Sequence, residues 1–185
     1  MAKTFNDLFR VNLRDLYDAE MRIAKALPKM ARAASSPELR QAFEDHFDET
    51  EEHITRLERA FDMLEEEPKR KKCEGIIGLL EEGEEAMKED LLPSVKDAGL
   101  IAAAQKVEHY EMAGYGTVRT WASLMDHDGV ASLLEQTLKE ETATDELLTG
   151  IADELNTEGM EESAEMAVAA QGNNEERGSF FLKGR

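Results

Sequence analysis

Cys73 is the only cysteine in 185 residues. A lone thiol excludes an intrachain disulfide and any paired-cysteine site for iron or zinc. There are four prolines, and no stretch alternates apolar with polar residues as a half-buried strand would. No apolar run approaches the roughly 18 residues of a membrane span. The opening Met1-Ala2-Lys3-Thr4-Phe5-Asn6-Asp7 has no apolar core of a secretory signal, so the expected compartment is the cytoplasm. Basic residues are scarce beside acidic ones, 22 against 41, for a formal charge of −19. Such a surface repels nucleic acid and anionic membranes and attracts cations. Its plainest consequence is high solubility.

What remains is rich in Ala, Leu, Glu and Lys, and 185 residues suit one sizeable core. The expected fold class is all-α. A first helix starts at Thr4, with Asp7 as its capping partner, and stops at Ala34-Ser35-Ser36-Pro37. Pro28 is expected to loosen its last turns, because it cannot donate to the carbonyl of Ala24. The Ser-Pro pair opens a second helix, Pro37 to Glu66. Residues 67–97 form a crossover. It begins with the basic run Lys69-Arg70-Lys71-Lys72, which balances local charge, and holds a short or broken helix from Cys73 to Asp90. A third long helix runs from about Ala98 to Met125, and a fourth follows Asp128 to about Asn156. Residues 1–157 are thus the expected bundle. Residues 158–185 are an expected mobile or docking tail; the alternative is a short helix at Met160 to Ala170.

Each long helix has an apolar stripe interrupted by ligand-capable side chains. The first reads Phe9, Leu13, Leu16, Glu20, Ile23, Leu27; the second Leu39, Phe43, His46, Glu49, His53, Leu57. The third reads Ile101, Ala104, Glu108, Glu111, Tyr115, Val118; the fourth Leu134, Leu138, Glu141, Asp145, Leu148. A buried carboxylate without a partner is destabilising by several kcal/mol, so it requires a cation, a proton or a hydrogen-bond network. More than a fifth of the chain is acidic, so one such residue per helix arises easily by chance. Recurrence at matched depth does not. Glu20 lies about 15 residues before the first turn and Glu49 about 13 after it, a mismatch of about one turn at 1.5 Å per residue. Two antiparallel pairs therefore bring Glu20, Glu49, Glu108, Glu111, Glu141 and Asp145 to one layer, with His46 and His53 a turn to either side of Glu49. Two divalent cations would neutralise much of that charge, and oxygen donors suit iron or manganese. His109, about 100° off its stripe, is expected to support the ligands from behind.

Four segments carry a resemblance: Leu16-Tyr17-Asp18-Ala19-Glu20, His46-x-x-Glu49-Thr50, Ile101 to Glu111, and Thr137-Leu138-x-Glu140-Glu141-x-Ala143-Thr144-Asp145. Over residues 5–155 the sequence resembles the YciE/YciF-like family of ferritin-like bacterial stress proteins. The resemblance implies a ferritin-like four-helix core with a crossover, and a homodimer. Glu108-x-x-Glu111 is similar to the third helix of rubrerythrin, and Glu141 with Asp145 to its fourth-helix pair, where histidine is usual at the second position. The second helix of that superfamily offers Glu-x-x-His. Here Glu52 stands three residues after Glu49, and His53 four. An oxygen-rich site of this kind makes manganese more competitive.

The leading expectation is a dimetal-carboxylate protein, holding two Fe or Mn ions, that handles iron, dioxygen or hydrogen peroxide. Glu49 and either Glu141 or Glu108 would bridge the ions. A peroxidase cycle requires an external electron-donor protein, since the chain lacks rubredoxin-type cysteines; a manganese-catalase-like cycle does not. The alternatives are iron sequestration and a structural or interaction stress protein with little or no turnover. No nucleic-acid or membrane partner is expected.

Overall fold

The computed structural model describes the backbone of residues 3–182 and the side chains of residues 3–169. Five helices follow one another: α1 (Phe5–Ala33), α2 (Pro37–Met63), α3 (Glu74–Lys88), α4 (Pro93–Leu124) and α5 (Asp128–Leu182). Helix α1 packs on α2 and α4 on α5; α2 also lies against α5 and α1 against α4, closing a four-helix bundle. Helix α3, carried by the crossover, covers α1 and α4.

The helix ends follow local chemistry. The Thr4 hydroxyl accepts from the Asp7 amide at 3.1 Å while Asp7 accepts from the Thr4 amide at 2.7 Å, a complete capping box. Ser36 caps α2 ahead of Pro37. The intervening loop is fixed from a distance: buried Asp97 of α4 accepts from the amides of Ser35 and Ser36 at 2.9 and 2.7 Å. Glu65 and Asp126 take positive φ just past the ends of α2 and α4, where such a residue commonly stops a helix. Gly114 allows close approach of α4 to α1, because a Cβ there would stand 2.7 Å from Leu16 Cδ2.

The helix boundaries depart from expectation in two places. Pro93 starts α4 at its first position, where its missing amide hydrogen is harmless, and does not merely end the crossover helix. Helix α1 keeps its expected end, with Pro28 inside it and Ala34 at its cap. The break expected near Asn156 is absent: α5 runs for 55 residues, about 80 Å at 1.5 Å per residue. Its continuation is tied to the bundle, since Glu162 accepts from the Ser94 amide at 3.2 Å and Gly159 packs on Ser94 and Val95. Glu162 thereby supplies the acceptor that the side chain of Leu92, at the cap position of α4, does not provide. On this continuation Met160, Met166 and Val168 are exposed.

The crossover is held by charge. Arg70 and the Cys73 amide both bond Asp18 of α1, Lys71 bonds Asp15, and Lys69 and Lys72 pair with Glu67 and Glu74. The basic run is spent on local ion pairs, as its composition implied. Among the described residues no helix is long and apolar enough to cross a membrane.

The apolar core comes in two parts. One gathers Phe9, Leu13 and Leu16 with Leu57, Phe61, Val118 and Leu134. The other gathers Ile23 and Leu27 with Leu39, Phe43, Leu100, Ile101 and Leu148. Where the two parts meet, each long helix turns buried polar side chains inward.

Candidate metal centre

That intervening layer holds Glu20 from α1, His46 and His53 from α2, Glu108 and Glu111 from α4, and Glu141 from α5, all 3% exposed or less. Their ligand atoms form two groups. His46, Glu108, Glu111 and Glu141 offer atoms all within 4.8 Å of one another; Glu20, His53 and Glu141 do the same. Glu141 belongs to both. The imidazole centroids stand 6.2 Å apart, and each ring presents a different nitrogen to the centre. His46 Nε2 lies 3.4 Å from Glu108 and 3.8 Å from Glu141; His53 Nδ1 lies 3.0 Å from Glu141 and 3.5 Å from Glu20.

The layer is rich in buried atoms that make no hydrogen bond: His46 Nε2, His53 Nδ1, Glu20 Oε2, Glu108 Oε2, and both oxygens of Glu111 and of Glu141. Buried polar groups are rarely left so, because each unmet donor or acceptor is destabilising by about 1–3 kcal/mol. All are donors suited to a hard or borderline divalent ion, and the two imidazoles add the nitrogen that iron and manganese accept. The residues present fit a metal pair.

Around this centre a second set of contacts holds the donors. Tyr115, fully buried on α4, donates its hydroxyl hydrogen to Glu20. Thr50 donates to the His46 carbonyl at 2.8 Å. The outer nitrogen of His46, Nδ1, faces Glu49 and Thr144, each at 3.4 Å. The outer nitrogen of His53, Nε2, faces Glu140 at 2.9 Å.

Electrostatics follow from this crowding. Burial opposes charge on His46, but the facing Glu108, with Glu49 and Glu141, overrides it and lifts the imidazole well above its ordinary pKa. His53 is likewise opposed by burial and pushed up to about 10 by Glu141 and Glu20. Burial, then repulsion from Glu141, Glu20 and Glu108, keeps Glu111 protonated far above the usual carboxylate range. Glu141 is raised by burial to about 7, the attraction of His53 notwithstanding. Without metal, burial and crowding favour protons on His46, His53 and Glu111.

Six of the eight residues expected from sequence are therefore together. Two are not. Glu49 is 47% exposed and sits outside His46. Asp145 lies on the far side of Glu141, where it accepts from Gln105 at 3.2 Å and stands 3.4 Å from exposed His109. His109 thus touches Asp145 and not the buried cluster. Sequence reasoning missed Glu140 as a partner of His53, Arg56 as a partner of Glu140, and the hydroxyls of Thr50 and Thr144. The two threonines carried a signal, since both fall on apolar stripes; Glu140 and Arg56 carried none, because each reaches across from a neighbouring helix. A separate groove of about 310 Å³ between α1, α3 and α4 includes none of the cluster residues.

The bundle with its crossover helix and polar mid-layer is a ferritin-like fold. The chain belongs to the family described as a domain of unknown function, DUF892, which it matches over residues 4–161. It is 46% identical over 154 residues to protein YciF of Escherichia coli (strain K12), covering 81% of this chain and 91% of that protein. The crystal structure of the E. coli stress protein YciF superimposes with a TM-score of 0.82 at 43% identity, covering 84% of this chain and 99% of that one. YcfI of Rhodopseudomonas palustris, described as a candidate structural protein, gives 0.78 at 41% identity over 80% of this chain and 94% of its own. A protein of Xanthomonas campestris pv. campestris, 20% identical over 86% of this chain and 97% of its own, shares the fold with a TM-score of 0.68.

Proposed function

We propose that the chain is a dimetal-carboxylate protein that handles iron, dioxygen or hydrogen peroxide in a stress response. The observation that carries this reading is the pair of buried donor groups joined at Glu141. Glu141, with both oxygens unpaired and a share in both groups, would serve both ions. Glu20 and His53 would complete one ion's ligands; His46, Glu108 and Glu111 the other's. Once ionised, as metal binding would require, the four carboxylates Glu20, Glu108, Glu111 and Glu141 would carry the charge that two divalent ions cancel.

When bound, iron or manganese supplies the redox change that peroxide or dioxygen requires. The chain supplies the rest. Tyr115 holds Glu20 in place and leaves its second oxygen free. The two apolar clusters close the layer above and below and exclude water from it. Half-exposed Glu49, beside Thr144 and His46, marks the side on which the layer meets solvent. A peroxidase cycle would draw electrons from a separate donor protein; a catalase-like manganese cycle would not. A homodimer belongs to the same proposal, and light scattering reads it directly. The relative in E. coli is a stress protein by name, which agrees with this chemistry.

The test is to load the metal-free chain anaerobically with ferrous iron or manganous ion and add hydrogen peroxide or dioxygen separately. The reading expects oxidation or peroxide breakdown well above that of the same metal in buffer. Rates equal to free metal would overturn it. A second reading has its own support: protons favoured on His46 and Glu111 offset part of the buried charge, which would let the bundle stand without metal as a structural protein, and YcfI is described as a structural protein.

A further inference from the structure

A histidine can bind a cation only through a nitrogen that carries no proton, and the hydrogen bond at its other nitrogen decides which one that is. In this layer the two histidines are treated differently. His53 Nε2 points away from the centre and meets Glu140 Oε2 at 2.9 Å. Glu140 is not free to turn. Arg56 grips it with both guanidinium nitrogens, Nη2 to Oε1 at 2.9 Å and Nη1 to Oε2, and Nη1 also donates to Thr137 Oγ1 at 3.3 Å. Two parallel bonds between guanidinium and carboxylate fix orientation as well as distance. The imidazole ring is therefore held from outside, and its Nδ1, with no hydrogen bond of its own, faces Glu20 and Glu141. His46 has no such clamp. Its outer nitrogen meets Glu49 at 3.4 Å, and no cation holds Glu49 among the described residues.

We propose that Glu140, clamped by Arg56, is a positioning residue that fixes His53 with Nδ1 as its ligating atom. The proposal rests on the metal-binding reading above. Glu140 touches neither the centre nor any substrate; it acts through His53. The adjacent residues Glu140 and Glu141 then divide the work, one holding the imidazole from outside and the other facing the centre.

The alternative is that Arg56 and Glu140 merely tie α2 to α5. The probe that separates them is zinc alone, added to the full chain with its histidines labelled with nitrogen-15. Long-range proton–nitrogen correlation spectra read which nitrogen of each ring is metal-bound. The expected spectrum has His53 bound through Nδ1 with a proton on Nε2, and His46 bound through Nε2. Glu140→Ala should blur or reverse the His53 pattern and weaken zinc binding about 10- to 100-fold, while leaving the His46 pattern in place. Glu140→Gln, which keeps one carbonyl acceptor for the His53 Nε2 hydrogen but sets an amide NH2 against Arg56, should restore the pattern in part. Should Glu140→Ala fail to fold, Arg56→Gln carries the same test, with partial loss of the His53 pattern expected. His53 bound through Nε2, or unchanged affinity and spectra in both Glu140→Ala and Arg56→Gln, would overturn the proposal and leave the metal reading standing. No zinc bound by the unaltered chain would instead overturn the metal reading.

Discussion

The carboxylate of Glu49 faces His46 Nδ1 at 3.4 Å, on the side of the ring away from the buried centre. The residue that sequence spacing places among the ligands is thus a neighbour of the buried donor His46. It is 47% exposed, whereas His46 is buried. Glu49→Gln is therefore expected to weaken metal binding modestly and to leave the number of ions per chain unchanged. Glu108→Ala should remove tight binding while helix content, read by circular dichroism, stays the same. Equal losses in the two variants would contradict this ranking.

Which parts were legible follows from helical geometry. Glu20, His46, His53, Glu108, Glu111 and Glu141 interrupt apolar stripes, and the bundle buries those stripes. Glu49 lies about 60° off the line joining His46, Thr50, His53 and Leu57, and Thr50, with its small side chain, takes the buried place instead. Asp145 is off the Glu141–Thr144–Leu148 line by a similar angle. The period alone could not settle these, because each lies at the edge of a stripe. The pairing of His53 with Glu140 was not legible at all, since it depends on how α2 and α5 are rotated against each other. The continuation of α5 past Asn156 was not legible, because glycines and a fading period suggest a break there; the contacts of Glu162 and Gly159 with the start of α4 agree with a docking segment.

Glu111 has two buried oxygens without partners. Its replacement by leucine removes this unmet polarity at similar volume. Glu111→Leu is expected to raise the stability of the metal-free chain by about 1–3 kcal/mol and to abolish normal metal loading. Thermal unfolding in chelator reads the first effect and elemental analysis the second. A destabilised metal-free variant would show that Glu111 is structurally required.

The pH dependence of the metal-free chain should be unusual. Glu141 titrates at about 7 when folded, against an ordinary 4.5, and His53 at about 10 against 6.5. Raised values mean that the folded chain binds more protons than the unfolded one, so stability falls as pH rises. The Glu141 contribution is lost between about pH 4.5 and 7. The His53 contribution is whole below about 6.5 and is lost as pH climbs to about 10. Metal must displace the same protons, so its affinity should rise with pH, with proton release visible by calorimetry in buffers of different ionisation heat. Denaturation midpoints flat between pH 5 and 9 would contradict this.

Asp18 is buried yet ionised. Burial would raise its pKa, and the bonds from Arg22, the Cys73 amide and Arg70 hold it below the usual range. Asp18→Asn should destabilise the chain by about 1–3 kcal/mol, because it loosens the crossover from α1. Metal content should not change. Chemical denaturation checks the first; a loss above that range accompanied by lost metal would mean that the crossover shapes the layer.

Removal of residues 166–185 should leave stability and metal content intact. Removal of residues 157–185 also takes away Glu162, whose carboxylate serves the start of α4, and is expected to lower stability by about 1 kcal/mol. Metal content should persist in both, and its loss would show that α5 closes the layer from beyond the bundle.

The most direct test of the central claim is the number of iron and manganese ions per chain, by elemental analysis, in the unaltered protein and in Glu141→Ala after the same anaerobic loading. Because Glu141 belongs to both donor groups, the account predicts about two ions in the first and substantially none in the second. Substantially no metal in the unaltered chain, or two ions retained without Glu141, would contradict it.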